Sequence, residues 1–239
     1  FVSICKDNTL AQLIRLACVS MAIVLALFAE AGASAGGAGF VLLREGIGAR
    51  ASGMGEAYTA VTGDQAGAFW NPATVSALGQ KDFVLAYQRS IQGINQTYGG
   101  WAYGNGRRGI ALSLAMHSAG GIEARNGPSA EPLGTFGLTD ATAGLTYAQQ
   151  VGGRWRVGAT VRALHESLGP ERASGLAADF GLLFYPGIPG VTLGSAYRNL
   201  GRTERLDLER IPLPRTFRLG GAYERERLVV SMDVRVPHH

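Results

Sequence analysis

Apolar and small-or-polar residues alternate with a period of two along nine stretches of this chain. Trp155, Val157, Ala159, Val161 and Ala163 share one face of an extended segment, and Arg156, Gly158, Thr160 and Arg162 share the other. Leu228, Val230, Met232, Val234 and Val236 stand in the same way opposite Val229, Ser231, Asp233 and Arg235. Successive side chains of a β-strand point to opposite faces, so this period predicts strands. They are expected over residues 82–88, 96–103, 108–117, 140–150, 155–168, 175–185, 191–199, 215–224 and 227–236. Turn-forming clusters at 104–107, 152–154, 186–190 and 224–227 are tight, whereas the connections over 89–95, 118–139, 168–174 and 199–214 are longer. Short turns on one rim and long loops on the other are the layout of an outer-membrane β-barrel. A soluble β-sandwich also alternates but does not predict this asymmetry. The expected class is all-β: a transmembrane antiparallel β-barrel, partial, with about nine strands present and a small helical plug at its N-terminal side.

The plug is expected over residues 36–80, a Gly- and Ala-rich stretch with poor two-residue alternation. Short helices are predicted over 51–62 and 66–70, with Asp64 as a cap for the second and Pro72 ending it. Gly53 and Gly55, among other small residues, would let such a segment pack closely against barrel walls. Before it, Lys6 and Arg15 precede the apolar run 16–28, and Ala33, Ser34 and Ala35 form a small-residue cleavage site. Residues 1–35 therefore read as a secretory signal peptide, which leaves 81–239 as the partial barrel. Cys5 and Cys18 both fall in that leader, so neither disulfides nor thiol chemistry is expected after cleavage.

Composition narrows the picture. Charged residues make up only 17% of the chain, below the usual quarter, yet no second apolar run reaches the length of a membrane helix. Any membrane contact must be made by strands. The net charge of +4 comes from arginines scattered singly, without a basic ribbon, so nucleic-acid binding is not expected. Arg156, Arg162, Arg198, Arg218, Asp179 and Asp233 lie at strand positions where a charge is tolerated on a wet inner face, and they are the lumen-facing candidates. Tyr87, Trp101, Tyr103, Tyr147, Trp155, Tyr185, Tyr197 and Tyr223 are placed toward strand ends, as an aromatic girdle requires.

Chemical motifs give little. Residues 104–109 match the dinucleotide fingerprint letter for letter, but a strand follows where that motif needs a helix, and Asn105 and Gly106 read as a primed hairpin turn. His117 and His165 are isolated in sequence, and no nucleophile elbow or P-loop occurs. No catalytic residue is assigned, and no cofactor or metal is expected.

The run Gly46, Ile47, Gly48, Ala49, Arg50, Ala51, Ser52, Gly53, Met54, Gly55, Glu56, Ala57, Tyr58, Thr59, Ala60, Val61 is followed by Phe69, Trp70, Asn71, Pro72 and Ala73. It closely resembles the N-terminal signature of the PorV/PorQ family of bacterial outer-membrane proteins. Residues 174–181, 189–194, 198–201 and 212–218 look like the later strand-and-loop pattern of the same family. Members are similar to FadL-type barrels of fourteen strands with an N-terminal plug or hatch. The resemblance implies that Gly53, Gly55, Asn71, Pro72 and Ala73 belong to the plug, and that about five further strands complete the barrel. An odd strand count and the cut look of both ends carry the same expectation. It also implies a non-enzymatic role in secretion or surface assembly of the type IX kind. The partners would be outer-membrane lipid and the C-terminal domains of secreted cargo. A passive channel for hydrophobic small molecules is the alternative. The chain departs from the family at Glu56, where many members carry glycine, and at residues 62–65, where they often show two acidic residues.

Overall fold

The nine period-two segments become strands, and two short strands, the eighth and ninth in chain order, are added within the connection expected over 199–214: β1 (Lys81–Arg89), β2 (Asn95–Gly104), β3 (Arg108–Ala124), β4 (Gly134–Val151), β5 (Trp155–Leu168), β6 (Glu171–Phe184), β7 (Val191–Thr203), β8 (Arg205–Leu206), β9 (Glu209–Arg210), β10 (Arg215–Arg225) and β11 (Leu228–His238). The structure, a computed structural model, describes residues 40–90, 93–125, 127, 132–206, 209–210 and 212–238. The leader reading over 1–35, with Cys5 and Cys18, lies outside the described residues. Nine strands form one sheet in the order β1-β2-β3-β4-β5-β6-β7-β10-β11, each antiparallel to its neighbours, and β8 and β9 pair separately. The chain is thus all-β, a curled meander with the outline of a half-barrel.

Cross-strand pairing aligns the outward side chains in rows. Phe83, Trp101, Leu112, Leu145, Val161, Ala178 and Leu200 stand side by side across seven strands. Exposure in that row reaches 67% at Phe83 and 61% at Val161. The facing row on the inner side reads Val84, Gly100, Ser113, Gly144, Arg162, Ala177 and Gly201. Small and polar residues therefore face the packed side, and large apolar residues face out.

The strands are longer than the alternation predicts. β3 and β4 continue through most of 118–139, across a register shift between Ala119 and Ile122 where Gly121 has φ +71°. The side chains there do not alternate, but ladder hydrogen bonds join backbone groups and do not require them to. Residues 168–174 are likewise no long loop: β5 ends at Leu168, β6 starts at Glu171, and Gly169 turns the chain at φ +58°. Between β2 and β3, Gly106 alone takes positive φ (+79°), while the Asn105 side-chain oxygen accepts from the N–H groups of Arg107 and Arg108 at 3.0 and 2.8 Å. This is a three-residue turn rather than a two-residue primed one, and β3 follows it directly.

The N-terminal segment lies on the inner face. It holds a 3-10 turn at Val41–Leu43, helix α1 (Ala49–Gly53), helix α2 (Gly67–Trp70) and a 3-10 stretch at Pro72–Ala77. The first helix stops at Gly53 and does not run to residue 62, because Gly55 and Glu56 take positive φ (62° and 64°) and swing the chain onto the sheet. The second matches expectation, and Asp64 Oδ1 accepts the N–H of Gly67 at 3.1 Å. The main core cluster, including Leu42, Ile47, Tyr58, Val61, Phe69 and Trp70, joins this segment to Tyr98 and Ala115 of the sheet. A second cluster packs Val75 and Leu78 against Ala102, Ala111 and Ala148.

Candidate functional site

The centre of the inner face is a charged layer beneath Phe69 and Trp70. Arg162 on β5 is paired with Asp179 on β6, both buried. The register between β6 and β7 shifts between Ala178 and Phe180, where Arg198 and Asn199 together oppose Asp179, and Asn199 takes φ +62°. A β-bulge of this kind re-aims side chains, and here it turns both residues inward. The backbone N–H of Asn199 donates to Asp179 Oδ1 at 2.7 Å, and its side-chain amide donates to the carbonyl of Pro214 at 2.8 Å. Arg198 lies 4.1 Å from the Phe69 ring centroid and 5.8 Å from that of Trp70; Arg162 lies 5.2 Å from Phe69.

A second pair closes the layer. Arg218 on β10 donates to Asp233 Oδ2 on β11 at 3.1 Å and to Thr59 Oγ1 at 3.1 Å, and stands 4.7 Å from the Trp70 centroid. Asp233 Oδ2 also accepts the N–H groups of Tyr58 and Thr59 at 3.1 and 3.0 Å. Three guanidinium groups thus face two carboxylates and two aromatic rings. Arg198 Nε and Nη2 make no hydrogen bond, so the ring faces supply its nearest stabilisation. Desolvated cation–π contacts contribute about 2 kcal/mol at best, which holds the aromatic pair but does not fully offset burial of a charge.

Asn71 anchors the segment a few ångströms away. Its amide donates to the carbonyls of Thr59 at 2.8 Å and Leu182 at 3.1 Å, and its Oδ1 accepts the N–H of Ala73 at 3.0 Å. Pro72 follows at the first position of the 3-10 stretch, where a missing N–H loses nothing. The sheet makes room with glycine: a Cβ on Gly158 would stand 2.5 Å from the Pro72 carbonyl carbon, and one on Gly181 would strike Asn71 Oδ1. Gly53 and Gly55, by contrast, meet nothing within 4 Å. The expected close approach exists, but the glycines that permit it belong to the wall, where the backbone of the segment leaves no room for a Cβ at Gly104, Gly109, Gly158 and Gly194.

Tyr58 donates its hydroxyl to Asp64 Oδ2, which also pairs with Arg50 at 2.9 Å. Burial, reinforced by that carboxylate, pushes the Tyr58 hydroxyl pKa well above its ordinary value. Arg156 stands apart from the central layer and donates to the carbonyls of Ser76 at 2.6 Å and Gly106 at 2.7 Å.

Pairing also assembles a row that sequence reasoning missed. Gln96, His117, Asp140 and Glu166 are direct cross-strand neighbours on β2 to β5, all buried. Glu166 accepts the N–H of Phe40 at 2.7 Å, Asp140 accepts that of Leu42 at 3.4 Å, and His117 Nε2 lies 3.3 Å from Glu45 Oε2. Counting back equally from the turn at 152–154 sets Asp140 opposite Glu166, so part of this row was within reach of the sequence. Among the described residues no group of three or more His, Cys, Asp or Glu is arranged to hold a metal ion. An apolar groove of about 490 Å³ lies on the outward face, floored by Gly99, Ala141, Ala143 and Ala163 and walled by Leu85, Leu114 and Met116.

No known protein-family profile matches the chain, and no curated protein matches it.

Proposed function

We propose that this chain forms wall and plug of an outer-membrane β-barrel of PorV/PorQ type, a non-enzymatic component of protein secretion or surface assembly. The observation that supports this most is the inversion of the two sheet faces. Nine strands present large apolar side chains outward, while arginines, aspartates, threonines and glycines pack inward against the N-terminal segment. Bilayer hydrocarbon is the solvent that suits such an exterior, and a polar interior is what transmembrane barrels enclose. Backbone groups in lipid must all be paired, so the free edges of β1 and β11 need partner strands in that setting.

The channel reading needs an apolar pocket between plug and wall. The segment is packed on the wall through apolar clusters around Val61, Phe69, Val75 and Leu78 and through the polar contacts of Asn71, Arg218 and Asp233, and the apolar groove is on the other face, so the secretion reading is preferred. Expression in a Gram-negative host tests the proposal. Recovery in the outer-membrane fraction, resistant to alkaline washing and released by detergent, is expected. Recovery as a soluble periplasmic protein would refute it. Co-purification of a cargo C-terminal domain supports secretion, whereas uptake of a hydrophobic tracer that depends on this chain supports the channel.

A further inference from the structure

We propose that the tight-turn rim is a docking surface for the anionic headgroups of the phospholipid leaflet beside it. This rests on the membrane reading above. The turns joining β2 to β3, β4 to β5 and β10 to β11, with the strand ends next to them, carry Lys81, Arg107, Arg108, Arg154, Arg225 and Arg227. All six are exposed, and the carboxylates of the same turns and strand ends are Glu224, Glu226 and Asp82, the last turned to the inner face where it accepts the N–H of Gln65 at 2.6 Å. None of the six is ion-paired among the described residues, although Glu224 and Glu226 adjoin Arg225 and Arg227 in sequence. The opposite rim is mixed: Arg89, Arg125, Arg172 and Arg202 alternate with Glu123, Glu171 and Glu204.

A second observation sets the depth of these cations. Just inside the same rim lie Tyr103, Tyr147 and Trp155, all exposed, with Trp155 packed on Phe184 at a centroid distance of 4.3 Å. Exposed tyrosine and tryptophan at strand ends mark the boundary between hydrocarbon and headgroups. Arg107, Arg154, Arg225 and Arg227 lie in the turns immediately beyond that belt, at the level of lipid phosphates. The cations are spread over three of the four tight turns, the one at 186–190 carrying none, rather than gathered in one patch. A planar layer of phosphates meets all three of these turns, while a compact acidic protein would meet only part of the arc. Guanidinium forks match phosphate oxygens in geometry as well as in charge.

The test is flotation of the purified chain with phosphatidylcholine vesicles, with and without phosphatidylglycerol. Each cation near an anionic surface strengthens partition about fivefold, so removing several should cost at least ~10-fold. Preference for the anionic vesicles is expected, and it should vanish at 1 M salt, where charges are screened within about 3 Å. The variant with Arg107→Gln, Arg154→Gln, Arg225→Gln and Arg227→Gln should lose the preference yet still float with both vesicles. The corresponding Arg→Lys variant should keep it, which separates loss of charge from loss of folding. Equal flotation of the unmodified chain with both vesicles overturns this proposal alone, and so does an undiminished preference in the Gln variant. Flotation with neither overturns the membrane reading as well. Binding to soluble polyglutamate but not to anionic vesicles would assign the rim to an acidic protein and overturn the lipid assignment.

Discussion

Replacing Asn71 with alanine tests whether the N-terminal segment is held on the sheet as a separately releasable unit. Asn71 is fully buried and makes three hydrogen bonds that alanine cannot replace. The Thr59 and Leu182 carbonyls would each lose a donor, and the N–H of Ala73 would lose its cap. An orphaned buried group costs about 1–3 kcal/mol and a lost cap about 0.5–2 kcal/mol. Carbonyl oxygens can keep one partner while losing another, so a total of roughly 2–4 kcal/mol is expected. The loss falls on docking of the segment, because the sheet's antiparallel ladders do not pass through Asn71. Hydrogen exchange reads it directly: amides of residues 59–77 should lose about 10²-fold in protection, since each 1.4 kcal/mol is about tenfold, while those of β3 to β6 keep theirs. Asn71→Ser, which retains an acceptor for Ala73, should lose less. Protection of 59–77 within about threefold of the unmodified chain would refute the anchoring argument. Parallel loss in β3 to β6 would refute the claim that segment and sheet are separate units.

The charged layer predicts unequal responses to Arg→Met. Arg218→Met leaves buried Asp233 without its cation and should destabilise by about 3 kcal/mol, whereas Arg198→Met removes a cation with two idle N–H groups and should be near neutral in denaturant titration. Gly158→Leu should drive the Pro72–Ala77 stretch off the wall, costing ~3 kcal/mol of docking by overpacking and seen as new protease cleavage after residue 71 while the strands persist. Tyr58 keeps its proton in the folded state to higher pH than in the unfolded chain, so its contribution is complete below about pH 10 and is lost as pH rises beyond that. Protection of the segment should therefore fall above about pH 10 in the unmodified chain and fall less in Tyr58→Phe.

Alternation was enough to locate the nine sheet strands, because every strand has one face in a different surrounding from the other. It could not locate their ends on the long-loop rim, where Gly120 and Gly121 interrupt the pattern but the ladder resumes at Ile122, and where β5 and β6 run on to a tight turn at Gly169. Nor could it show the bulge at Arg198 and Asn199: a bulge breaks the period by one residue, and an Asn in the left-handed region looks in sequence like any loop residue. The charged candidates were legible one at a time as charges in strands. Their grouping into an Arg162–Asp179–Arg198 set and an Arg218–Asp233 set depends on register and on that bulge. The N-terminal segment was legible as a change of composition, but its two turns at Gly55 and Glu56 were not, since Glu56 gives no sign of positive φ.

The same alternation fits a soluble sheet equally well until the identity of the packed face is known, and there the two readings diverge. In a soluble sandwich Phe83, Leu112, Leu145 and Val161 would form the core, and Arg162, Asp179 and Arg218 would meet water. The chain does the reverse: its own N-terminal segment covers the face with arginines and glycines, and leaves the apolar one open. A soluble reading therefore needs a second layer to cover the exposed apolar side chains of this face, among them Phe83, Leu112, Leu145 and Val161, whereas the apolar patches of a soluble monomer ordinarily stay within a few hundred Å². A bilayer supplies that layer without any further protein. On the proposed membrane reading, charges such as that of Arg198 stay on the covered inner face and need never enter hydrocarbon.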